Sequence, residues 1–264
     1  TDDGVLRAPA VLTTPEPLEL QHHLWNAAQA GCGYVVMECS SQALKYGRMV
    51  GVELFAGAFL NLGEDHISPR EHPTAEDYFR SKLKIFDHSK NAVVNLDSDR
   101  APEVLAAAQR CDRVLTYSLD TPSADLFAPR LTHGWEGSRF SVTYRGKEEN
   151  FSIPLAGSFN VSNALCALAV CELLDIPAQA VRVGLERCVV PGRMETYTRD
   201  GNTVVVDYAH NGMALEALLQ EVRRGFPGAS VTAVFGSVGD KALDRREGMG
   251  KAAGKYADFT ILTE

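Results

Sequence analysis

Short apolar runs, each ending in a cluster of polar or charged residues, constrain this chain most. Tyr34-Val35-Val36-Met37 leads into Glu38, Ala58-Phe59-Leu60 into Asn61-Leu62-Gly63-Glu64-Asp65-His66, and Ala92-Val93-Val94 into Asn95-Leu96-Asp97. Continuous apolar segments with β-branched residues suit strands covered on both faces, as in a parallel sheet. Tyr34 to Met37 is therefore expected to be a fully buried strand, with a second strand delivering His66 to the same edge. Open α/β sheets bind ligands at the carboxyl ends of their strands, which makes Glu38 and His66 expected neighbours in a site. Carboxylate and imidazole both suit a divalent cation, although magnesium prefers oxygens and water.

Between these runs the spacing turns helical. Thr13-Thr14-Pro15-Glu16-Pro17 fixes an extended turn, and Leu18 to Ala30 follows as a helix with Leu20, Leu24 and Ala27-Ala28 inward. Ser40 to Arg48 reads as a loop and short helix, in which Arg48 taken alone is a surface ion-pairing residue. Thr74 is a candidate N-cap with Asp77 three residues on, and Asp77 to Phe86 is an amphipathic helix carrying Lys82. Taken alone, Lys82 is a solvated lysine and His72 a solvent-facing loop histidine. Pro102 to Gln109 reads as a helix and Arg113 to Tyr117 as a strand. Alternation in Arg139 to Tyr144 and Phe151 to Ile153, around Arg145-Gly146-Lys147, signals an antiparallel hairpin with one wet face. A helix then runs from near Ser158 to about Leu174; by pattern alone, Asn163 in it is a cap. Pro177 to Cys188 is another amphipathic helix.

Val190-Pro191-Gly192-Arg193 has boundary composition, dividing the chain into residues 1–193 and 194–264. Beyond it, strands at 203–206, 231–235 and 259–262 alternate with helices at 214–224 and 248–256, which implies a parallel sheet of Rossmann type.

The formal charge of -8 argues against a general nucleic-acid binder, since tracking phosphates needs basic patches. No apolar stretch approaches the roughly twenty residues of a membrane span, and the amino terminus lacks a basic region followed by an apolar one. Six cysteines without a C-x-x-C pair read as reduced, mostly buried residues, and cytoplasmic residence as a monomer is the expectation.

Several motifs together resemble the Mur ligases, nearest to the MurE branch: Thr13-Thr14-Pro15-x-Pro17, Glu38-Cys39-Ser40-Ser41-Gln42-Ala43-Leu44 with Arg48, and Asn61-Leu62 with Asp65-His66. Tyr78-Phe79 with Ser81-Lys82, Asn160-x-x-Asn163-Ala164, Gly192-Arg193-Met194-Glu195 and Asp207-Tyr208-Ala209-His210 complete the set. The resemblance implies an α/β fold. It comprises a Mur central domain, mostly parallel with a small antiparallel sheet, and part of a Rossmann-like C-terminal domain.

It also implies an ATP-dependent amide ligase of peptidoglycan synthesis, adding a third amino acid, lysine or meso-diaminopimelate, to UDP-MurNAc-L-Ala-D-Glu through an acyl phosphate. Glu38, His66 and Lys82 would then be catalytic and hold Mg2+, Lys82 as a carbamate; a bare ammonium there would repel the metal. Thr13, Thr14, Ser40 and Arg48 would bind the nucleotide-sugar peptide, and Asn163, Arg193 and Asp207 would bind ATP. Tyr46 stands where some relatives carry glutamine, and Asn211-Gly212-Met213 where many carry Thr-Pro-Asp. No G-x-x-x-x-G-K-[ST] phosphate loop occurs in the 264 residues, so the chain reads as a piece of a longer enzyme, inactive on its own. A folylpolyglutamate synthetase-like ligase and a non-catalytic nucleotide-sugar or partner-binding module are the alternatives. A metal-dependent hydrolase is disfavoured by the lack of a second histidine at helical distance.

Overall fold

The computed structural model describes residues 1–63, 67–68, 71–237 and 243–263. Its centre is a four-stranded parallel sheet of β1 (Leu54–Phe59), β2 (Ser89–Asn95), β3 (Arg113–Ser118) and β4 (Leu126–Phe127), in that spatial order. Ala92, Val93 and Val94 on β2 are completely buried, as a strand covered on both faces requires.

One face carries α1 (Pro17–Gln29), α2 (Ser41–Lys45), α3 (Ala75–Leu83) with the 3-10 turn Lys84–His88, and α4 (Ala101–Ala108). Leu20, Leu44, Phe79, Phe86 and Val104 form the core there. Against the other face lie α5 (Ser158–Leu173) and an antiparallel sheet of β5 (Arg130–Gly134), β6 (Gly137–Tyr144) and β7 (Lys147–Ile153). Tyr117, Phe140, Phe151, Leu165 and Leu168 pack between them, and α6 (Ala178–Glu186) lies against β7.

The run Tyr34 to Met37 is not the buried strand its composition suggests. It forms no strand, and Tyr34, Val35 and Val36 are 64%, 53% and 95% exposed. Among the described residues the sheet begins at β1, and nothing pairs with this run. A continuous apolar segment is buried only where neighbours cover both of its faces. The hairpin is confirmed but gains β5 as a third strand. Phe140, Ser141 and Val142 are all buried, so the middle of β6 lacks the expected wet face, and β4 packs against it. Ala28, expected inward on α1, is exposed.

Beyond Arg193, β8 (Glu195–Arg199) pairs antiparallel with β9 (Asn202–Val206). Asp200 and Gly201 join them at φ values of 50° and 76°, the left-handed pair that closes a two-residue hairpin. The strand expected at 203–206 therefore folds back on its predecessor instead of joining the parallel sheet. After α7 (Gly212–Gly225), β10 (Thr232–Gly236), α8 (Leu243–Tyr256) and β11 (Phe259–Thr263) form a parallel βαβ unit. Leu215, Leu219, Met249 and Ala253 are its core. The helices touch where Gly212 meets Gly248: a Cβ on Gly212 would lie 2.8 Å from Gly248 backbone atoms. No described helix is long and apolar enough to cross a membrane.

Leu165 is completely buried between α5 and the parallel sheet. Leu165→Ala is expected to cost about 2–5 kcal/mol, the range for buried leucine truncations, read as a lowered urea midpoint at unchanged slope.

Candidate functional site

The rim at the carboxyl ends of β1, β2 and β3 is tied by side chains. Asn95 Nδ2 donates to Leu60 O at 2.7 Å, fixing β1 against β2 at this rim, while Asn91 Nδ2 donates to Phe55 O at 2.8 Å near the amino ends of the same two strands. Asp97 accepts from the Ser118 hydroxyl and, at 2.6 Å, from Leu119 N, fixing the tip of β2 to the end of β3. Asn95 and Asp97 are thus parts of the frame. A buried carboxamide holding a carbonyl that would otherwise lack a partner satisfies two polar groups at once.

Thr14 gathers the next group. Its side chain is completely buried; Oγ1 donates to Glu38 O at 2.8 Å and accepts from Ser40 N at 2.9 Å. Arg48 donates to Thr14 O at 3.1 Å and pairs with Glu16 at 2.9 Å. Ser40 in turn caps α2, its hydroxyl accepting from Ala43 N at 3.2 Å. The structure therefore joins Thr14, Glu38, Ser40 and Arg48 in one network, while Thr13 beside them is exposed. The Thr14 hydroxyl is committed to the protein backbone, so it shapes this network from beneath and Thr13 presents the outward hydroxyl.

Lys82 reaches the same rim from α3. Its Nζ donates to Asn61 O at 2.7 Å and lies 5.1 Å from the Phe59 ring centroid and 5.3 Å from that of Tyr78. The expectation of a freely solvated lysine is not met, because the amine is held against the end of β1. Glu38 is exposed, and no ion pair joins it to Lys82. His66 and Asp65 lie outside the described residues. Among the described residues no group of three or more His, Cys, Asp and Glu side chains is placed to hold a metal ion. The donor set fits a hard cation in one form only. Glu38 offers an unpaired carboxylate, whereas an Nζ in contact with a carbonyl and two ring faces is an ammonium site unless it carries a carboxyl group. Cys39, next in sequence to Glu38, is no nucleophile: burial, then the Glu38 charge, pushes its thiol up to about 11.

A further polar cluster escaped sequence reasoning. His72 is completely buried, not solvent-facing; Nδ1 lies 2.7 Å from Asp77 Oδ2 and Nε2 2.9 Å from Ser41 Oγ. Lys45 Nζ shares Asp77 Oδ2 at 2.7 Å and donates to Glu71 O at 3.2 Å. Thr74 caps α3 through Asp77 N at 3.1 Å, as the sequence indicates. Lys45 first and His72 second hold the Asp77 carboxyl below its ordinary range. The only sequence signal was the capping pair; Ser41 lies 31 residues from His72, and Lys45 lies 26 and 32 residues from Glu71 and Asp77.

The remaining candidates sit elsewhere. Asn163 is exposed on the second turn of α5, whose N-cap is Gly157, so it does not cap the helix. Asn160 is buried and donates to Ala156 O at 2.7 Å. Asp207 accepts from Met194 N at 3.0 Å and Ala209 N at 2.8 Å, bracing the turn at which Met194 takes a φ of 52°. The exposed Arg193 guanidinium stacks 4.9 Å from the Tyr208 ring centroid. Asn211, in the stretch that departs from the family pattern, caps α7 through Ala214 N at 2.9 Å.

Comparison with known proteins finds the Mur ligase middle domain over residues 3–171 and the Mur ligase glutamate ligase domain over residues 192–264. The chain is 37% identical to the UDP-N-acetylmuramoyl-L-alanyl-D-glutamate–L-lysine ligase of Enterococcus faecalis, over 100% of the chain and 53% of that protein. Among solved structures, a UDP-N-acetylmuramoyl-L-alanyl-D-glutamate–2,6-diaminopimelate ligase superposes with a TM-score of 0.73 at 33% identity, over 96% of this chain and 52% of the other. A Mycobacterium tuberculosis folylpolyglutamate synthase superposes at 0.74 with 22% identity, over 93% and 55%, a likeness of fold. The chain spans about half the length of the curated relatives it matches.

Two outcomes follow from the networks. Thr14→Val keeps the shape but strands Glu38 O and Ser40 N without their partner, and is expected to cost about 1–3 kcal/mol in denaturant unfolding. The Asp77 carboxyl, held low, contributes stability that is present above the unfolded value of about 3.9 and lost as pH falls through its lower folded value. The stability gap between wild type and Asp77→Asn is therefore expected to narrow from pH 5 to pH 2 in urea midpoints.

Proposed function

The chain belongs to the Mur ligase family, and from that membership we propose that the protein containing it is an ATP-dependent, ADP-forming amide ligase. The acceptor is UDP-MurNAc-L-Ala-D-Glu and the incoming amine lysine or meso-diaminopimelate. The observation that carries this reading is the match of nearly the whole chain, at 37% and 33% identity, to proteins whose names describe these two ligations. The reaction class is balanced simply: the acceptor carboxylate takes the γ-phosphoryl group and ADP leaves, then the amine displaces phosphate from the acyl phosphate.

In this reading the two units meet at Arg193 and Met194. Residues 1–193 supply the central domain and 194–264 part of the C-terminal one. Thr13, Ser40 and Arg48 orient the acceptor, whose charge Arg48 complements, and buried Thr14 sets their spacing. Asn163, exposed on α5, offers a carboxamide to the adenine, with Arg193 and Asp207 flanking the nucleotide at the turn between the units. Glu38, His66 and Lys82, the last as a carbamate, are the residues that would hold Mg2+. Bound there, the cation would neutralise charge between two mutually repelling anions. Carbamylation turns the Lys82 amine into an anionic oxygen donor while leaving an N–H to donate to Asn61 O, the contact it already makes.

The full-length protein, supplied with ATP, Mg2+ and UDP-MurNAc-L-Ala-D-Glu, is expected to release ADP and yield a tripeptide mass with one of the two amines. Release of ADP only with a folate and glutamate would replace the reading with the folate alternative. Lys82→Ala is expected to lose at least about 100-fold in kcat, a loss on the scale of removing an electrostatic stabiliser. Lys82→Arg should stay inactive whatever the bicarbonate concentration, and wild-type rates in Lys82→Ala would remove the carbamate from the account.

A further inference from the structure

The cluster of Ser41, His72, Asp77 and Lys45 has the order of a hydroxyl, imidazole and carboxylate relay, yet no substrate can touch a completely buried imidazole. Its location suggests another role. Ser41 is the first residue of α2 and lies three residues after Glu38; Asp77 is in the first turn of α3, five residues before Lys82. At about 1.5 Å per residue, Lys82 is about 7.5 Å along α3 from Asp77, so the two ends of the imidazole grip the supports of both candidate ligands. The intervening loop is seated by the same residue: Ser68 N donates to His72 O at 2.9 Å, and Ile67 bridges to His72. His66 immediately precedes that bridge in sequence.

The protonation pattern follows from the partners. A carboxylate only accepts, so Nδ1 carries the proton toward Asp77, and Nε2 shares a hydrogen bond with the Ser41 hydroxyl. Lys45 and Asp77 pair in charge, and the imidazole beside them has a partner at each ring nitrogen, so none of its polar atoms is buried unbonded. We propose that His72 is a positioning residue: by joining Ser41 on α2 to Asp77 on α3, it fixes the spacing between the Glu38 segment and Lys82. It does not touch the reacting atoms. This deepens the ligase reading, because it takes Glu38 and Lys82 as parts of one site.

The test uses Ser41→Ala, which removes only the Nε2 partner and leaves no large void, beside His72→Ala in the full-length protein. Hydrogen exchange of the segments 38–45 and 74–82 is expected to quicken together, about threefold or more in Ser41→Ala and more in His72→Ala. The Mg2+ concentration for half-maximal ligation should rise at least about fivefold, with the KM for the nucleotide-sugar peptide less affected. A merely unstable variant would lose kcat with the Mg2+ half-saturation unchanged, and that result contradicts the proposal. Unchanged exchange in both segments of Ser41→Ala overturns it whatever the activity. If wild type ligates nothing yet the two segments still quicken together, the coupling through His72 stands and the ligase reading falls.

Discussion

Side chains from different strands can share a site only if the strand ends are held level, and here a buried amide and a carboxylate do the levelling. Asn95 ties β2 to β1 there, and Asp97 ties β2 to β3. Each satisfies a backbone group at the point where the regular ladder gives out. Apolar packing on the two faces fixes where the sheet lies but not how far one strand end projects past the next. Directional bonds do that, and Lys82 is held just beyond the end of β1 by one of its own.

The same division of labour recurs around the rim. Thr14 is wholly buried, and its one hydroxyl sets the path of the chain from Glu38 to Ser40. Lys82 is drawn to the end of β1 by Asn61 O, and its helix is bound to α2 through Asp77, Lys45 and His72. Polar groups taken out of water in this way are costly unless every member is bonded, and each pair named here is. Function would then fall to outward groups: Thr13 and the Glu38 carboxylate beside these networks, and Asn163 and Arg193 elsewhere.

Much of this was legible before any coordinates. Apolar runs with polar tips gave β2 and the end of β1, Arg113 to Tyr117 was readable as β3, period two gave β6 and β7, and the Thr74 cap marked the start of α3. Tyr34 to Met37 misled because the rule for a fully buried strand reads composition, whereas burial depends on what lies alongside; nothing described here pairs with it. The β8–β9 hairpin was missed although Asp200-Gly201 is a strong two-residue turn signal, because the alternation of strands and helices downstream drew β9 into the parallel sheet. His72 could not have been found from sequence, since its environment is made by Ser41, 31 residues earlier. The resemblance of motifs named the candidate residues, but only geometry separated buried Thr14 from exposed Thr13.

The central claim is that Glu38 and a carbamylated Lys82 face one cation at the carboxyl rim of the sheet. Anomalous diffraction from crystals of the full-length protein soaked in Mn2+ tests it most directly. The account expects a single strong peak in contact with the Glu38 carboxylate and with density for a carboxyl group on Lys82 Nζ. A bare Lys82 amine, with the metal bound away from Glu38, would contradict it.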